Sequence, residues 1–185
     1  MPNYCVNELK IYGTDELLNQ FKNENIKIFD TENPVEELDF GAVIPEPKFN
    51  NPDEQDKYDS GGWYDWRCEN WGTKWNSCSS WYELEKEELT IGFDSAWSPP
   101  ENWFRALVEK YPNLHFYLNY HETGMGYMGE MEGRDGVIVD DRQWDMEKDD
   151  YIRLGYADES DYDEDNDEFE ETSHDMEQAV AGETK

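Results

Sequence analysis

Five of the chain's eight tryptophans fall in one stretch, Gly61 to Trp81, which reads GGWYDWRCENWGTKWNSCSSW. An aromatic side chain removes roughly 150–250 Å² from water when it is buried. Trp63, Trp66, Trp71, Trp75 and Trp81 therefore predict either the middle of a core, which is the simpler expectation, or an aromatic binding surface. The spacing of Trp63, Trp66 and Trp71 predicts a helical turn that ends at Gly72, with a strand after it.

The charge excludes more than it specifies. At 185 residues the chain has room for one domain with a proper core, and its 46 acidic residues against 15 basic ones give a formal net charge of -31. A field of that sign repels nucleic acid, anionic membranes and other polyanions, and attracts basic protein surfaces. No apolar run approaches the roughly 20 residues that span a bilayer, and MPNYCVNELK lacks the basic-then-apolar pattern of a secretory signal, so a cytoplasmic location is expected. Cys5, Cys68 and Cys78 are an odd set without a close-spaced pair, which suits free thiols in a reducing compartment.

Taken in order, Cys5, Asn7, Leu9 and Ile11 alternate with Val6, Glu8 and Lys10, predicting a half-buried strand from Tyr4 to Tyr12. Thr14 is a plausible N-cap for a helix through about Asn23, with Leu17, Leu18 and Phe21 as its apolar stripe. Residues 30–37 read as loop, and so does the long Pro- and Asp-rich connection from Pro45 to Gly62. Thr73 to Leu84 and Leu89 to Ala96 read as a hairpin. Ser98-Pro99-Pro100-Glu101 then predicts a helix start with a serine N-cap. Trp103, Phe104, Leu107 and Val108 form its buried stripe. Leu114 to Tyr120 alternates as a strand, Tyr127 to Glu132 as a bent one, and Val137 to Val139 as a possible last one.

This order, β-α-loop-β-β-α-β with an extra C-terminal hairpin, predicts an α+β fold. The expected form is a ferredoxin-like split βαβ sandwich, an antiparallel sheet with two helices on one face. Residues 1–155 form that domain. Residues 156–185 carry 13 acids and one base and are expected to be a disordered acidic tail. The tail's net of -12 leaves -19 of the -31 on residues 1–155, so the acidity is not confined to one end.

Several blocks resemble the YubB-type ferredoxin-like family of plasmids and bacteriophages. They are Cys5-Val6-Asn7 leading to Gly13, Asn70-Trp71-Gly72-Thr73-Lys74-Trp75, Ala96-Trp97-Ser98-Pro99-Pro100, and Tyr120-His121-Glu122 with Gly124 and Gly129. The coverage is about Tyr4 to Gly136, and NWGTKW followed by AWSPP is its specific part. The resemblance implies the fold and a mobile-element setting, and carries no activity onto these positions.

The chemistry-bearing residues form no recognisable constellation. The three cysteines with His115 and His121 offer no zinc spacing. Asp161, Asp163, Asp165 and Asp167 imitate half a calcium loop, but Asn166 and Thr172 stand where its glycine and glutamate belong. No metal and no cofactor is expected. His121-Glu122 with Asp94 and Lys74 is the one imaginable acid/base cluster, and no catalytic motif accompanies it. A stacking platform for single-stranded nucleic acid is opposed by the charge.

The expected function is therefore non-catalytic. Carboxylates imitating a phosphate track would occupy the basic groove of a nucleic-acid-handling host protein, such as a CRISPR or restriction nuclease, as an anti-defence inhibitor. No membrane and no nucleic acid contacts it directly. The alternatives are a structural or regulatory interaction module whose tail only solubilises, and an enzyme without a familiar motif. The expected partner-binding residues are Asp53, Glu54, Asp56 and Asp59 of the long connection, with Trp63 and Tyr64 as aromatic anchors beside it. In the tail they are Asp158, Glu159, Asp161, Asp163, Glu164, Asp165, Asp167, Glu168, Glu170 and Glu171.

Overall fold

The computed structural model describes residues 3–29 and 34–161. In chain order its elements begin with β1 (Tyr4–Tyr12), α1 (Asp15–Asn25), β2 (Ile26–Ile28), β3 (Glu36–Leu38), α2 (Pro52–Lys57) and α3 (Trp63–Asn70). There follow β4 (Cys78–Glu85), β5 (Glu88–Ala96), α4 (Glu101–Lys110), β6 (His115–Glu122), β7 (Tyr127–Arg134), β8 (Val137–Asp145) and α5 (Lys148–Arg153). The chain divides into two compact units, Met1–Met146 and Glu147–Lys185. The first holds everything through β8.

That unit is built on a six-stranded antiparallel sheet ordered β4-β5-β1-β6-β7-β8. β1 and β4 run parallel with β5 between them, which is the split βαβ arrangement of a ferredoxin-like α+β sandwich, and β7 with β8 is the additional hairpin. The period-two pattern decides which face is buried. Cys5, Leu9 and Ile11 of β1, Leu89, Ile91 and Phe93 of β5, and Phe116 and Leu118 of β6 are all buried on one side. Both long helices cover that side. Phe21 of α1 and Phe104 of α4 meet Phe116 at ring separations of 6.0 and 6.4 Å.

α1 starts where Thr14 accepts a hydrogen bond from the Leu17 amide at 3.4 Å, with Asp15 and Glu16 in its first turn, where the helix dipole favours negative charge. α4 begins differently from its prediction. Pro100 occupies the cap position without a side-chain bond, because the Ser98 hydroxyl donates instead to the Gly72 carbonyl at 2.8 Å. That contact belongs to a knot that joins the two most specific sequence blocks. The Thr73 hydroxyl donates to the Ala96 carbonyl at 2.9 Å and accepts from the Ala96 amide at 3.1 Å, acting as a strand partner for the end of β5. Gly72 turns the chain with φ +86°, and a Cβ there would come within 3.0 Å of the Glu101 nitrogen. Beside it the Trp71 indole donates to the Ile44 carbonyl at 2.9 Å and enters the core against Phe40.

Four more expectations need correction. The strand after Gly72 starts at Cys78, not Thr73. Side chains in 73–77 are bonded to other backbone: Asn76 accepts from the Phe40 amide at 2.8 Å and the Ser77 hydroxyl donates to the Leu38 carbonyl, so this segment buttresses the short β2–β3 pair. Glu36 and Glu37, read as the end of a loop, belong to β3 (Glu36–Leu38) of that pair. The connection 45–62 is not all loop, since Asn51 caps α2 by accepting from the Asp53 amide at 3.0 Å, with Pro52 at the start of the helix. The last strand is also longer than predicted and runs to Asp145.

The tryptophan stretch is divided. Trp71 is core, Trp63, Trp66 and Trp75 are half-buried, and Trp81 is exposed. The plug between helices and sheet is Phe40, whose ring lies 4.7 Å from that of Trp103 and 5.7 Å from that of Phe93. Thr73→Val keeps the side-chain shape and leaves two backbone groups of buried Ala96 without this hydroxyl. Urea denaturation is expected to report a loss of about 2 kcal/mol. A change within about 0.5 kcal/mol, the range of ordinary surface substitutions, would contradict the account of the knot.

Candidate functional site

The structure divides the expected contact residues between places. Asp53, Glu54, Asp56 and Asp59 lie exposed on and just after α2, and Gln55 donates to Asp59 at 2.9 Å. Tyr64 on α3 is exposed beside them. Trp63 is half-buried, with the Arg67 guanidinium 5.1 Å from its ring centre, and Arg67 also pairs with Glu46. One of the two expected anchors is thus already covered by a cation of the chain itself. This acidic shoulder belongs to the helix layer, because α3 is tied to α4 by Asn102 donating to the Glu69 carbonyl at 2.9 Å.

In the second unit, Asp158, Glu159 and Asp161 are exposed around a single 3-10 turn. Asp163, Glu164, Asp165, Asp167, Glu168, Glu170 and Glu171 lie outside the described residues.

A larger surface was not anticipated from the sequence. Among the described residues of the first unit, α1 and α4 cover one face of the sheet, and the strand register assembles the other face into rows. In one row Asp94 lies opposite Val6, Val6 opposite His121, His121 opposite Met128, and Met128 opposite Trp144. In the next, Trp81 lies opposite Gly92, followed by Glu8, Asn119, Glu130 and Arg142. A third row runs Glu83, Thr90, Lys10, Tyr117, Glu132 and Asp140. Tyr4, Val6, Trp81 and Trp144 on this face are 46, 37, 52 and 40% exposed. Gly92 makes the position of Trp81 possible, since a Cβ there would fall 2.2 Å from the indole lying across it.

The open face is acidic. With Glu85 and Glu88 at one end, the rows hold eight carboxylates (Glu8, Glu83, Glu85, Glu88, Asp94, Glu130, Glu132 and Asp140) against Lys10, Arg134 and Arg142. Those three cations are engaged within the face. Lys10 meets Glu8 at 3.5 Å, Arg134 meets Glu132 at 2.6 Å, and Arg142 meets Asp140 at 2.8 Å and also Glu130. Glu132 further binds His115 at 2.8 Å, and the His115 hydrogen bond, with Arg134 beside it, holds its carboxyl below the ordinary value. Glu83, Glu85, Glu88 and Asp94 have no ion pair among the described residues. Partial burial, with Glu37 nearby, raises the Asp94 carboxyl despite a bond from Ser79.

The imagined acid/base cluster is dispersed. His121 projects on the open face, whereas Glu122 is buried on the helix face, where its two oxygens accept from the amides of Gly124 at 2.9 Å and Met125 at 2.6 Å and hold the turn. Lys74 is held between two indoles, 3.7 Å from the centre of Trp97 and 4.2 Å from that of Trp75. The thiol of Cys5 sits in the core, where burial pushes it up to about 12. Adjacent residues of a strand point to opposite faces, so the pair that looked like a site from the sequence acts as two unrelated groups.

Residues 70–181 match a family model described as a ferredoxin-like domain in Api92-like protein. The crystal structure of a protein api92 from Yersinia pseudotuberculosis shares the fold with a TM-score of 0.53 at 10% sequence identity, over 80% of this chain and 99% of that one. No curated protein matches the chain.

The raised carboxyl of Asp94 sets a pH signature. Its folded value lies above the unfolded aspartate value near 3.9, so the folded state loses stability as pH rises through the carboxylate range. Asp94→Asn is expected to raise the melting temperature at pH 7, with the gain fading towards pH 3. An equal change at both pH values would contradict the assignment.

Proposed function

The chain belongs to the family of ferredoxin-like domains found in Api92-like proteins, and from that premise we propose that it is a non-catalytic acidic binding protein. Its partner is a basic, nucleic-acid-handling protein of the host in which a phage or plasmid resides. It acts as an inhibitor of the anti-CRISPR or anti-restriction type, with carboxylates standing in for phosphates. The mobile-element setting follows from the motif resemblance of NWGTKW and AWSPP. The observation that carries the binding role is the open face of the sheet, where four of eight carboxylates have no ion pair among the described residues and exposed aromatic rings lie among them.

The same face argues against the nearest competing role. A bare sheet with exposed rings is how RNA-binding modules stack bases, but those platforms are accompanied by cations that neutralise phosphate. Here each approaching phosphate would meet carboxylates. A basic protein surface meets complementary charge and gains aromatic area to desolvate, which charges alone do not supply. The shoulder at Asp53 to Asp59 and the acidic stretch from Asp158 to Glu171 add long-range attraction that speeds encounter.

Capture from host lysate on the immobilised full chain tests this. The captured protein is expected to elute between about 0.1 and 0.5 M salt, where the screening length falls from about 10 Å to a few ångströms. Duplex DNA added at low salt should displace it, because decoy and DNA compete for one groove. Capture indifferent to both salt and DNA would contradict mimicry.

A further inference from the structure

Five of the described lysines and arginines are half-buried: Lys10, Lys22, Lys27, Arg67 and Lys74. Four of them bond to oxygen. Lys10 meets Glu8 at 3.5 Å, Lys22 the Tyr82 hydroxyl at 3.5 Å, Lys27 the Asn23 carbonyl at 3.0 Å, and Arg67 the Glu46 carboxylate. Lys74 is the exception. Its ammonium lies against the ring faces of Trp97 and Trp75, and its N–H groups have no protein acceptor among the described residues. A ring face attracts the charge but leaves hydrogen-bonding capacity unused. In a chain with 46 acidic residues, this half-buried cation is set among indoles and apart from carboxylates.

The arrangement is also held from several sides. Thr73, the residue before Lys74, is bonded to both backbone groups of Ala96. Trp97 adopts a left-handed backbone with φ +70°, which costs an aromatic residue energy and persists only where its surroundings enforce it. Here its amide donates to the Asn3 carbonyl at 3.0 Å and its carbonyl accepts from the Tyr127 hydroxyl at 2.7 Å. The Thr73 joint closes this corner by itself. The strained turn adds a second ring over the ammonium, and that ring stays 46% exposed.

We propose that Lys74, with Trp75 and Trp97 as its walls, is a binding site for a single carboxylate, the side chain of an aspartate or glutamate of the partner. The long lysine side chain is ordered before the ligand arrives, so little of its freedom is left to lose on binding. Indoles on its flanks keep water away from the ion pair, as the surround of an interface hot spot does. One ammonium matches one charge, whereas nucleic acid brings a row of phosphates into the field of a chain at -31. The proposal rests on the binding role above and adds to it a contact of opposite sign. A basic groove that also presents a carboxylate at this place is thereby distinguished from one that presents only cations.

The test follows the indole N–H signals of Trp75 and Trp97 by NMR in the full chain, at constant ionic strength. The probes are a Gly-Glu-Gly peptide blocked at both ends, its Gly-Gln-Gly counterpart, the glutamine peptide with a free C-terminal carboxylate, and inorganic phosphate. The glutamate peptide is expected to shift both signals saturably and to bind about fivefold more tightly than the blocked glutamine peptide, the scale of one partly exposed ion pair. Lys74→Gln should abolish that difference. The comparison of peptides on the unmutated chain does not depend on any variant folding. Equal binding of the two blocked peptides would show that the rings alone hold the ligand and would overturn the proposal. Tighter binding of phosphate or of the free C-terminus would assign the site to another anion and overturn it, as would the absence of a saturable shift with every probe. These probes carry no basic groove, so their failure leaves the basic-partner role standing, and a failed capture from lysate leaves the response at Lys74 standing.

Discussion

Everything in this protein follows from a sheet that is buried on one side only. The alternation in β1, β5 and β6 sends one set of side chains under α1 and α4 and turns the other set to the opposite face of the sheet. Because the side-chain period is two, a slip of one residue would exchange Leu9 and Ile11 for Glu8 and Lys10 in the core, so hydrophobic burial pins the register. The same pinning fixes the composition of the open face. The rows of carboxylates and the row of Val6, Met128 and Trp144 are held in place by the core beneath them.

The segment richest in tryptophan serves this arrangement in two different ways. Trp71 closes the core beside Phe40, and the Gly72–Thr73 corner following it is fastened to the end of β5 by the Thr73 hydroxyl. Ten residues later, Trp81 faces water across Gly92. The blocks NWGTKW and AWSPP, the most distinctive in the chain, are thus accounted for by one hydrogen-bonded joint and the cage of Trp75 and Trp97 around Lys74. They identify the fold, and the binding role has to be argued from the sheet surface.

Much of the architecture was legible because it is local. The Cys5 to Ile11 alternation, the stripe of Trp103, Phe104, Leu107 and Val108, and the strand around Phe116 and Leu118 appear in the structure as their spacing predicts. α2 was missed although Asn51-Pro52-Asp53-Glu54 carries a cap, a first-turn proline and acids. Its lack of any buried residue deprives it of the apolar stripe by which a helix is recognised. Ser98 was assigned to a cap because its partner, Gly72, lies 26 residues away.

The open face was hidden for the same reason. The pattern shows that Glu8 or Glu130 points outward, but only register brings residues 6, 121, 128 and 144 into one row. His121-Glu122 shows the converse: neighbours in sequence are separated by the thickness of the sheet. The acidic segments that stood out by composition, Asp53 to Asp59 and the stretch after Asp158, are contiguous, whereas the face is assembled from six strands.

The central claim is that the carboxylates of the open face, more than those of the contiguous acidic segments, hold the partner. The most direct measurement compares the dissociation constant of the captured partner for two charge-matched variants. One is Glu83→Gln, Glu85→Gln and Glu88→Gln on the face, and the other is Asp53→Asn, Glu54→Gln and Asp56→Asn on the shoulder. The account predicts a weakening of tenfold or more for the face variant and less than threefold for the shoulder variant. Equal affinity of the face variant and the unmodified chain would contradict it.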